Sequence, residues 1–275
     1  MNVDVDSDGD CAQDMYIAEF FCGNNLAPIN TDIVATIGCG THFGDVYGGC
    51  NMADITGNVT LTIEGGRIDT VYAGSKGATP PVNATEHQLD SVKADINGNV
   101  TLNIYGGTII NAFGVSNING NITGAIQVNM DWSQAPGNCN DTKSVSNVYG
   151  GSNLAAYKPS TPGNYPEVNI KHGTVTHSVF GGGKGPSALV TSNPVVTIGD
   201  SNSDHYAVVT ENVYGGGDAA PVTGKTKVIY NDAPSSSSVA KLFGGGNAAG
   251  VSDSATVILT ISRSEERFSR NAETD

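Results

Sequence analysis

Residues 57–68, GNVTLTIEGGRI, return almost unchanged as residues 98–109, GNVTLNIYGGTI. In both copies, apolar residues alternate with Thr or Asn, and this period of two predicts a β-strand. The Gly-Gly pair that follows supplies the positive φ angles that tight turns require. Weaker copies begin near Gly120, Glu167, Pro194, Gly224 and Asp253. A strand followed by a glycine turn is therefore the repeating unit of this chain.

A second motif, an aromatic residue followed in most copies by Gly-Gly, alternates with the first. Its aromatic residues are Tyr47, Tyr72, Phe113, Tyr149, Phe180, Tyr214 and Phe243. They are spaced 25 to 41 residues apart. Spacings this unequal argue against a propeller, whose blades have similar lengths. A solenoid accommodates them as loop insertions between stacked coils.

We therefore predict an all-β fold, a parallel β-solenoid in the form of a right-handed β-helix with irregular loop insertions. The aromatic residues of successive coils are expected to stack on one another. A β-sandwich or a propeller is the alternative. The only candidate helix is residues 14–21. The insertions, rich in Pro, Ser, Asn, Thr or Asp, are residues 76–95, 131–146, 157–165, 184–193, 199–211 and 231–240.

Three segments are expected along the chain: an acidic N-terminal segment (1–21), the solenoid repeats (22–262) and a tail (263–275). The tail, RSEERFSRNAETD, resembles the translation of a common sequencing-adapter oligonucleotide. We therefore expect it to be non-native and exclude it from fold reasoning. Because Ile261 lies inside an alternating segment, we expect the natural chain to continue beyond it.

Composition and charge exclude several partners. The 275 residues include 13 Lys and Arg against 27 Asp and Glu, a formal net charge of −14. Such a chain repels phosphates, so we expect it to bind neither nucleic acid nor an anionic membrane. No apolar run approaches the roughly 20 residues that span a bilayer. The first residues lack the basic and apolar regions of a secretory signal, so the protein is either cytoplasmic or begins upstream of Met1.

Residues 148–153 (VYGGSN), 213–220 (VYGGGDAA) and 242–250 (LFGGGNAAG) carry a family resemblance. Together with GNVTLTIEGG they resemble the glycine-rich repeats of very large surface proteins from anaerobic gut bacteria. The resemblance implies a β-helical, adhesin-like module at an extracellular or outer cell-surface location. It implies a non-catalytic role in adhesion or glycan binding, with a glycan or a host or cell-surface ligand as partner. It supplies no catalytic residues.

Four aromatic residues lie in the insertions instead of the repeated motifs: Trp132, Tyr157, Tyr165 and Tyr206. Exposed aromatic rings stack well on the faces of sugar rings, and neighbouring Asn and Asp side chains bind the hydroxyls. These four residues are therefore candidates for ligand binding. The alternative is that each packs down on the solenoid and covers its side.

A calcium site is the one cofactor that the sequence suggests. Asp4, Asp6, Asp8 and Asp10 alternate along the chain before and after Gly9, as in the first half of a calcium-binding loop. The pattern then fails, because Met15 stands where a bidentate Glu is expected. The alternative is a solvated acidic linker.

The five cysteines, Cys11, Cys22, Cys39, Cys50 and Cys139, match no zinc-binding spacing. In an exported protein they would form one or two disulfides that staple the N-terminal coil. The alternative is that Cys39 and Cys50 are small, buried and reduced.

The enzymatic alternative is a β-helical polysaccharide lyase or glycoside hydrolase. Asp54, Asp218 and Asp253 each lie a few residues after a Gly-Gly motif. If stacked coils aligned them, they would form an acidic stripe for catalysis or calcium binding. Turn aspartates explain the same positions without chemistry.

Overall fold

The computed structural model describes residues 16–90, 92–202, 204–232 and 237–261. They form a parallel β-solenoid in which sixteen strands are described. The predicted all-β class and the parallel solenoid are therefore confirmed, and the right-handed sense stays a prediction.

The strands, numbered in chain order, alternate between two sheets. The odd strands are β1 (Tyr16–Phe21), β3 (His42–Tyr47), β5 (Arg67–Tyr72), β7 (Thr108–Phe113), β9 (Ser144–Tyr149), β11 (Val179–Phe180), β13 (Ala207–Tyr214) and β15 (Ser238–Phe243). The even strands are β2 (Ile33–Ile37), β4 (Val59–Ile63), β6 (Val100–Ile104), β8 (Ile126–Asp131), β10 (Pro166–Val175), β12 (Val195–Ile198), β14 (Thr226–Asp232) and β16 (Ala255–Ile261). Two short helical segments lie in insertions: α1 (Glu86–Asp90) and a 3₁₀ turn (Trp132–Gln134).

Each coil consists of an even strand, a corner that we name the first corner, and the next odd strand. Coil 1 is β2 with β3, coil 4 is β8 with β9, coil 5 is β10 with β11, and coil 7 is β14 with β15. The chain then returns to the next even strand through a row of single-residue bridges. The bridge residues are Ile29, Ile55, Ile96, Ile122, Tyr157, Val190, Val222 and Val251.

Identical or similar side chains stack in register inside the solenoid. Leu61 pairs with Leu102, and Ile63 with Ile104, and all four are fully buried. Every coil presents the same alternation, so each inward side chain lies on its equivalent in the next coil. This explains why the sequence repeats its apolar pattern and why stacking buries a face that no single coil can bury.

The aromatic residues form a second, separate core. Eight rings, from Phe21 to Phe243, stack with centroids 4.6 to 5.0 Å apart and interplanar angles of 3 to 11°. The glycine after the ring is a steric requirement, because a Cβ at Gly48 would collide with the carbonyl oxygen of Ala73 in the next coil. The predicted aromatic stack is confirmed.

The helix expected at residues 14–21 is wrong for its described part. Tyr16–Phe21 is strand β1, which pairs in parallel with β3. The reason is a tertiary contact. The ring centroid of Phe21 lies 4.7 Å from that of Tyr47, so Phe21 begins the aromatic stack. The solenoid thus already includes the last six residues of the predicted N-terminal segment.

Candidate functional site

The first corner of coil 5 differs from those beside it. Coil 4 carries an insertion here (residues 132–143), and so does coil 6 (residues 199–206). Coil 5 has none, because β10 runs through the corner and pairs with both sheets. Its register shifts between Ile170 and His172, which marks a β-bulge. We name this place the His172 corner; its floor is β10, and the two insertions flank it.

Trp132 covers the corner from the side of coil 4. A Cβ at Gly173 would lie 2.5 Å from Cδ2 of Trp132, so the indole rests directly on the glycine backbone. Gly173 also has a φ of 129°, a conformation that other residues rarely adopt. Asp131 caps the 3₁₀ turn, since its carboxylate accepts hydrogen bonds from the Ser133 amide at 3.1 Å and hydroxyl at 2.6 Å. The turn and the glycine together place the tryptophan.

Coil 6 supplies the other side of the corner. The His172 ring lies 4.4 Å from the Tyr206 ring and 5.1 Å from the His205 ring, centroid to centroid. The Tyr206 amide donates to Nδ1 of His172 at 3.1 Å. Nδ1 is therefore the acceptor, and neutral His172 carries its proton on Nε2. Nδ1 of His205 lies 2.8 Å from the Asp200 carboxylate, which orients that imidazole.

Electrostatics favour a neutral His172. Burial lowers the pKa of its imidazole, and His205 and Lys143 lower it further, whereas Asp131 and Asp200 act in the opposite direction. A pKa below the ordinary histidine range leaves the ring uncharged at neutral pH. Its Nε2–H is then a neutral donor beside two aromatic rings.

Two other donors at the corner lack a strong acceptor. The indole Nε1 of Trp132 is buried and has no hydrogen-bond partner among the described residues. Within the part of the chain that the structure describes, the ammonium of Lys143 reaches only the Trp132 carbonyl oxygen, at 3.5 Å. The corner therefore combines aromatic rings, hydrogen-bond donors and the carboxylates of Asp131 and Asp200, a mixture suited to a polyhydroxylated ligand.

The structure thus brings together two of the four predicted ligand-binding aromatics. Trp132 and Tyr206 are both partly exposed and meet at the His172 corner. Tyr165 is also partly exposed, but it precedes β10, and the seven residues to His172 separate it by roughly 23 Å along an extended chain. His172 and His205 were missed by sequence reasoning; the available signal was that coil 5 lacks the insertion that its neighbours carry.

Tyr157 does not occupy an exposed loop, so its prediction as a ligand-binding residue is wrong. Its side chain is fully buried, and its hydroxyl donates to the Gly124 carbonyl at 2.6 Å. It bridges to Val190 in the row of single-residue bridges. The composition of the following residues resembles a loop, but the tyrosine itself fills a core position.

The predicted metal ligands lie elsewhere. Asp4, Asp6, Asp8 and Asp10 are outside the described residues. Within them, the sulfurs of Cys39 and Cys139 and the carboxylate of Asp141 cluster closely enough to hold an ion. The two cysteines form a disulfide, however, so neither offers the thiolate that binds metals.

The disulfide differs from both sequence-based alternatives. It joins coil 1 to the insertion of coil 4, and so it does not staple the N-terminal coil to itself. Cys22 and Cys50 are free, and Cys50 is buried. The alternative prediction, that Cys39 and Cys50 are buried and reduced, is thus correct for Cys50 and wrong for Cys39.

The three candidate catalytic aspartates do not form a stripe. Asp54 directly precedes the bridge residue Ile55, whereas Asp253 follows Val251 by two positions and Asp218 precedes Val222 by four. Asp54 accepts a hydrogen bond from the Asp95 amide, Asp218 from the Asn247 side chain, and Asp253 from the Ser254 amide. These contacts are those of turn residues.

Among the described residues, no helix has the length and apolarity that crossing a membrane requires. Comparisons with known proteins return no relative: no family model, no curated protein and no solved structure matches this chain.

Proposed function

We propose that the chain is a non-catalytic repeat module of a secreted or cell-surface protein, and that it binds glycans at the His172 corner. One observation carries the proposal: coils 4, 5 and 6 each supply an aromatic or imidazole ring to the same corner, namely Trp132, His172 and Tyr206. Loops on a rigid scaffold are where binding residues concentrate.

The chemistry of the corner supports a saccharide as the ligand. The apolar C–H faces of a sugar stack on aromatic rings, while its hydroxyls need both donors and acceptors. The corner offers Nε2–H of His172 and the Lys143 ammonium as donors, and the partly exposed Asp200 carboxylate as an acceptor. The rings are already held by Gly173 and by the contact between His172 and His205, so binding orders few side chains.

The disulfide supports the proposed location. Disulfides persist in exported proteins and are rare in the reducing cytosol. Cys39–Cys139 spans 100 residues and ties the corner insertion to coil 1. An extracellular module that displays loops has a use for such a link.

The test is retention of the purified, oxidised full chain on a panel of mucin, plant and microbial polysaccharides. Trp132→Ala and Tyr206→Ala are expected to weaken retention on the bound polysaccharide at least about tenfold, the equivalent of ~1.4 kcal/mol. Tyr165→Ala is the matched control, since it removes a partly exposed aromatic side chain remote from the corner. Its retention should equal that of the parent chain.

Two outcomes would contradict the proposal. If the chain were retained on no polysaccharide, it would not be a glycan-binding module. If all three variants lost retention equally, the His172 corner would not be the binding site. The same incubations are assayed for new reducing or unsaturated ends. Such ends, if lost in a His172→Ala variant, would establish the enzymatic alternative instead.

A further inference from the structure

The insertion of coil 4, residues 132–143, is a strap that runs back across the first corners of earlier coils. Near its C-terminal end, Cys139 is bonded to Cys39 of coil 1. The Asp141 carboxylate accepts hydrogen bonds from the amides of Gly40, at 3.0 Å, and Gly66, at 2.6 Å. Three coil spacings of about 4.8 Å put this anchor roughly 14 Å behind coil 4.

The other end of the strap points forward. Trp132 lies on Gly173 of coil 5, in the direction opposite to the disulfide. Lys143, the last residue of the strap, returns to the Trp132 carbonyl. The strap therefore links coil 1 to the His172 corner.

Between its ends, the strap makes no described hydrogen bond to the solenoid. Ser133 bonds to the adjacent Asp131, Gln134 to Ser133, and the Cys139 amide to the carbonyl of Pro136. Gly137 has no atom within 4 Å of its Cβ position. Because no described hydrogen bond ties its middle to the solenoid, the path of the strap depends on its two ends.

Trp132 has no hydrogen bond of its own to hold its indole in place. Its Nε1–H is buried without an acceptor among the described residues. Burying a donor in this way costs free energy that solvent exposure would recover. The position of the indole therefore depends on its packing against Gly173 and on the path of the strap.

We infer that Cys139, through its disulfide with Cys39, and Asp141 are positioning residues that hold Trp132 at the His172 corner. The oxidised protein presents the indole there, and the reduced protein releases it while the solenoid stays folded. Reduction by dithiothreitol leaves two protein thiols and converts the reagent to its cyclic disulfide. The consequence for glycan binding rests on the proposed function; the positioning of Trp132 does not.

Trp132 is the only tryptophan of the chain, so its fluorescence reports on the corner alone. The experiment compares the oxidised full chain, the same chain with dithiothreitol, a Cys39→Ser/Cys139→Ser variant and Asp141→Ala. Reduction and the double variant should shift the emission maximum to longer wavelength and raise the acrylamide quenching constant, and Asp141→Ala should do so to a smaller extent. Far-UV circular dichroism should be unchanged, because the strand ladders do not involve the strap.

Asp90→Ala is the matched control, since Asp90 is an exposed carboxylate of α1 that pairs with Lys93 away from the strap. It should leave emission and quenching unchanged, and dithiothreitol should have no further effect on the double variant. Retention on the bound polysaccharide is measured on the same samples. It should fall at least about tenfold on reduction, as for Trp132→Ala.

Unchanged emission and quenching after verified reduction would overturn the inference. If glycan retention persisted in that case, the proposed function would still stand. If emission shifted but neither redox state bound a glycan, the positioning role would stand and the proposed function would fail. Loss of the far-UV signal on reduction would also overturn the inference, since the disulfide would then hold the fold and not the strap.

Discussion

The two halves of the solenoid have different side chains at equivalent positions of the coil. In coils 1 to 4 the bridge row is isoleucine, and the third residue after each stacked ring is Cys50, Ser75, Ser116 or Ser152. In coils 6 to 8 the bridge row is valine, and from coil 5 onward the third residue is Gly183, Gly217 or Gly246. We name these the Ile/Ser half and the Val/Gly half.

The difference shows two ways to fill the space at the third residue after each stacked ring. In the Ile/Ser half, a buried side chain accepts the amide of the preceding coil: Ser75 Oγ from Cys50 at 3.1 Å, and Ser116 Oγ from Ser75 at 3.2 Å. In the Val/Gly half, backbone occupies that volume. A Cβ at Gly217 would lie 2.5 Å from the Ala220 carbonyl oxygen, so a serine does not fit there. Valine in the bridge row and glycine at the third position after the ring therefore occur together.

Tyr157 lies where the halves meet, between Ile122 and Val190 in the order of the bridge row. It is among the largest fully buried side chains of the described residues. A large buried ring thus lies at the point where the bridge row changes from isoleucine to valine.

Removing the ring at the junction should be most damaging. We expect Tyr157→Ala to lower the free energy of unfolding by about 3–5 kcal/mol, the usual cost of deleting a buried aromatic side chain. Tyr157→Phe removes only the hydrogen bond to Gly124 and should cost about 1 kcal/mol. Urea unfolding followed by circular dichroism measures both. Equal losses for the two variants would contradict a packing role for the ring.

Adding a methyl group inside the Val/Gly half should have the next largest effect on the free energy of unfolding. A Cβ at Gly182 would lie 2.7 Å from the Gly217 amide nitrogen. Gly182→Ala should therefore cost about 1–3 kcal/mol, as overpacking usually does. Gly245 occupies the same position of the motif, and its Cβ would have no atom within 4 Å. A Gly245→Ala variant as unstable as Gly182→Ala in urea would show that close packing is not the reason for these glycines.

Removing an acceptor from the Ile/Ser half should have a smaller effect. Ser116→Ala leaves the buried Ser75 amide without its acceptor, at a cost of about 1–2 kcal/mol. Cys50→Ser keeps an acceptor for the Asn24 amide and should change stability little. The measurement is the shift of the thermal midpoint. No shift for Ser116→Ala would mean that the serine ladder does not distinguish the halves.

The smallest effect is a pH dependence that arises at Cys22, beside the first coil of the Ile/Ser half. Burial raises the pKa of the Cys22 thiol to about 11. A thiol in the unfolded chain ionises at lower pH, so its contribution to stability is complete below that range and is lost as the pH rises toward 11. The thermal midpoint should thus fall less steeply between pH 8 and pH 10.5 in Cys22→Ala than in the parent chain. Identical slopes would refute this contribution.

The sequence predicted the solenoid because each coil repeats one environment. The alternation in residues 57–68 and the glycine after each ring respond to neighbours that are copies of themselves, so local pattern and tertiary packing agree. That agreement fails at Tyr16–Phe21, where Cys22 replaces the first glycine of the pair that follows other rings, and pairing with β3 decides the structure. It fails again at Tyr157, where a loop-like composition surrounds a core residue.

The strand pattern, the aromatic stack and the insertions could therefore be predicted from the residues alone, because they depend on interactions within a coil or with the next one. Which insertions meet became visible only in the folded stack of coils. Trp132, His172 and His205 converge because coil 5 has no insertion at its corner, and Cys39 pairs with Cys139 because a strap reaches back over three coils. The sequence records the length of each insertion, but which coils an insertion reaches depends on the stacking order of the coils and on the path of the loop in space.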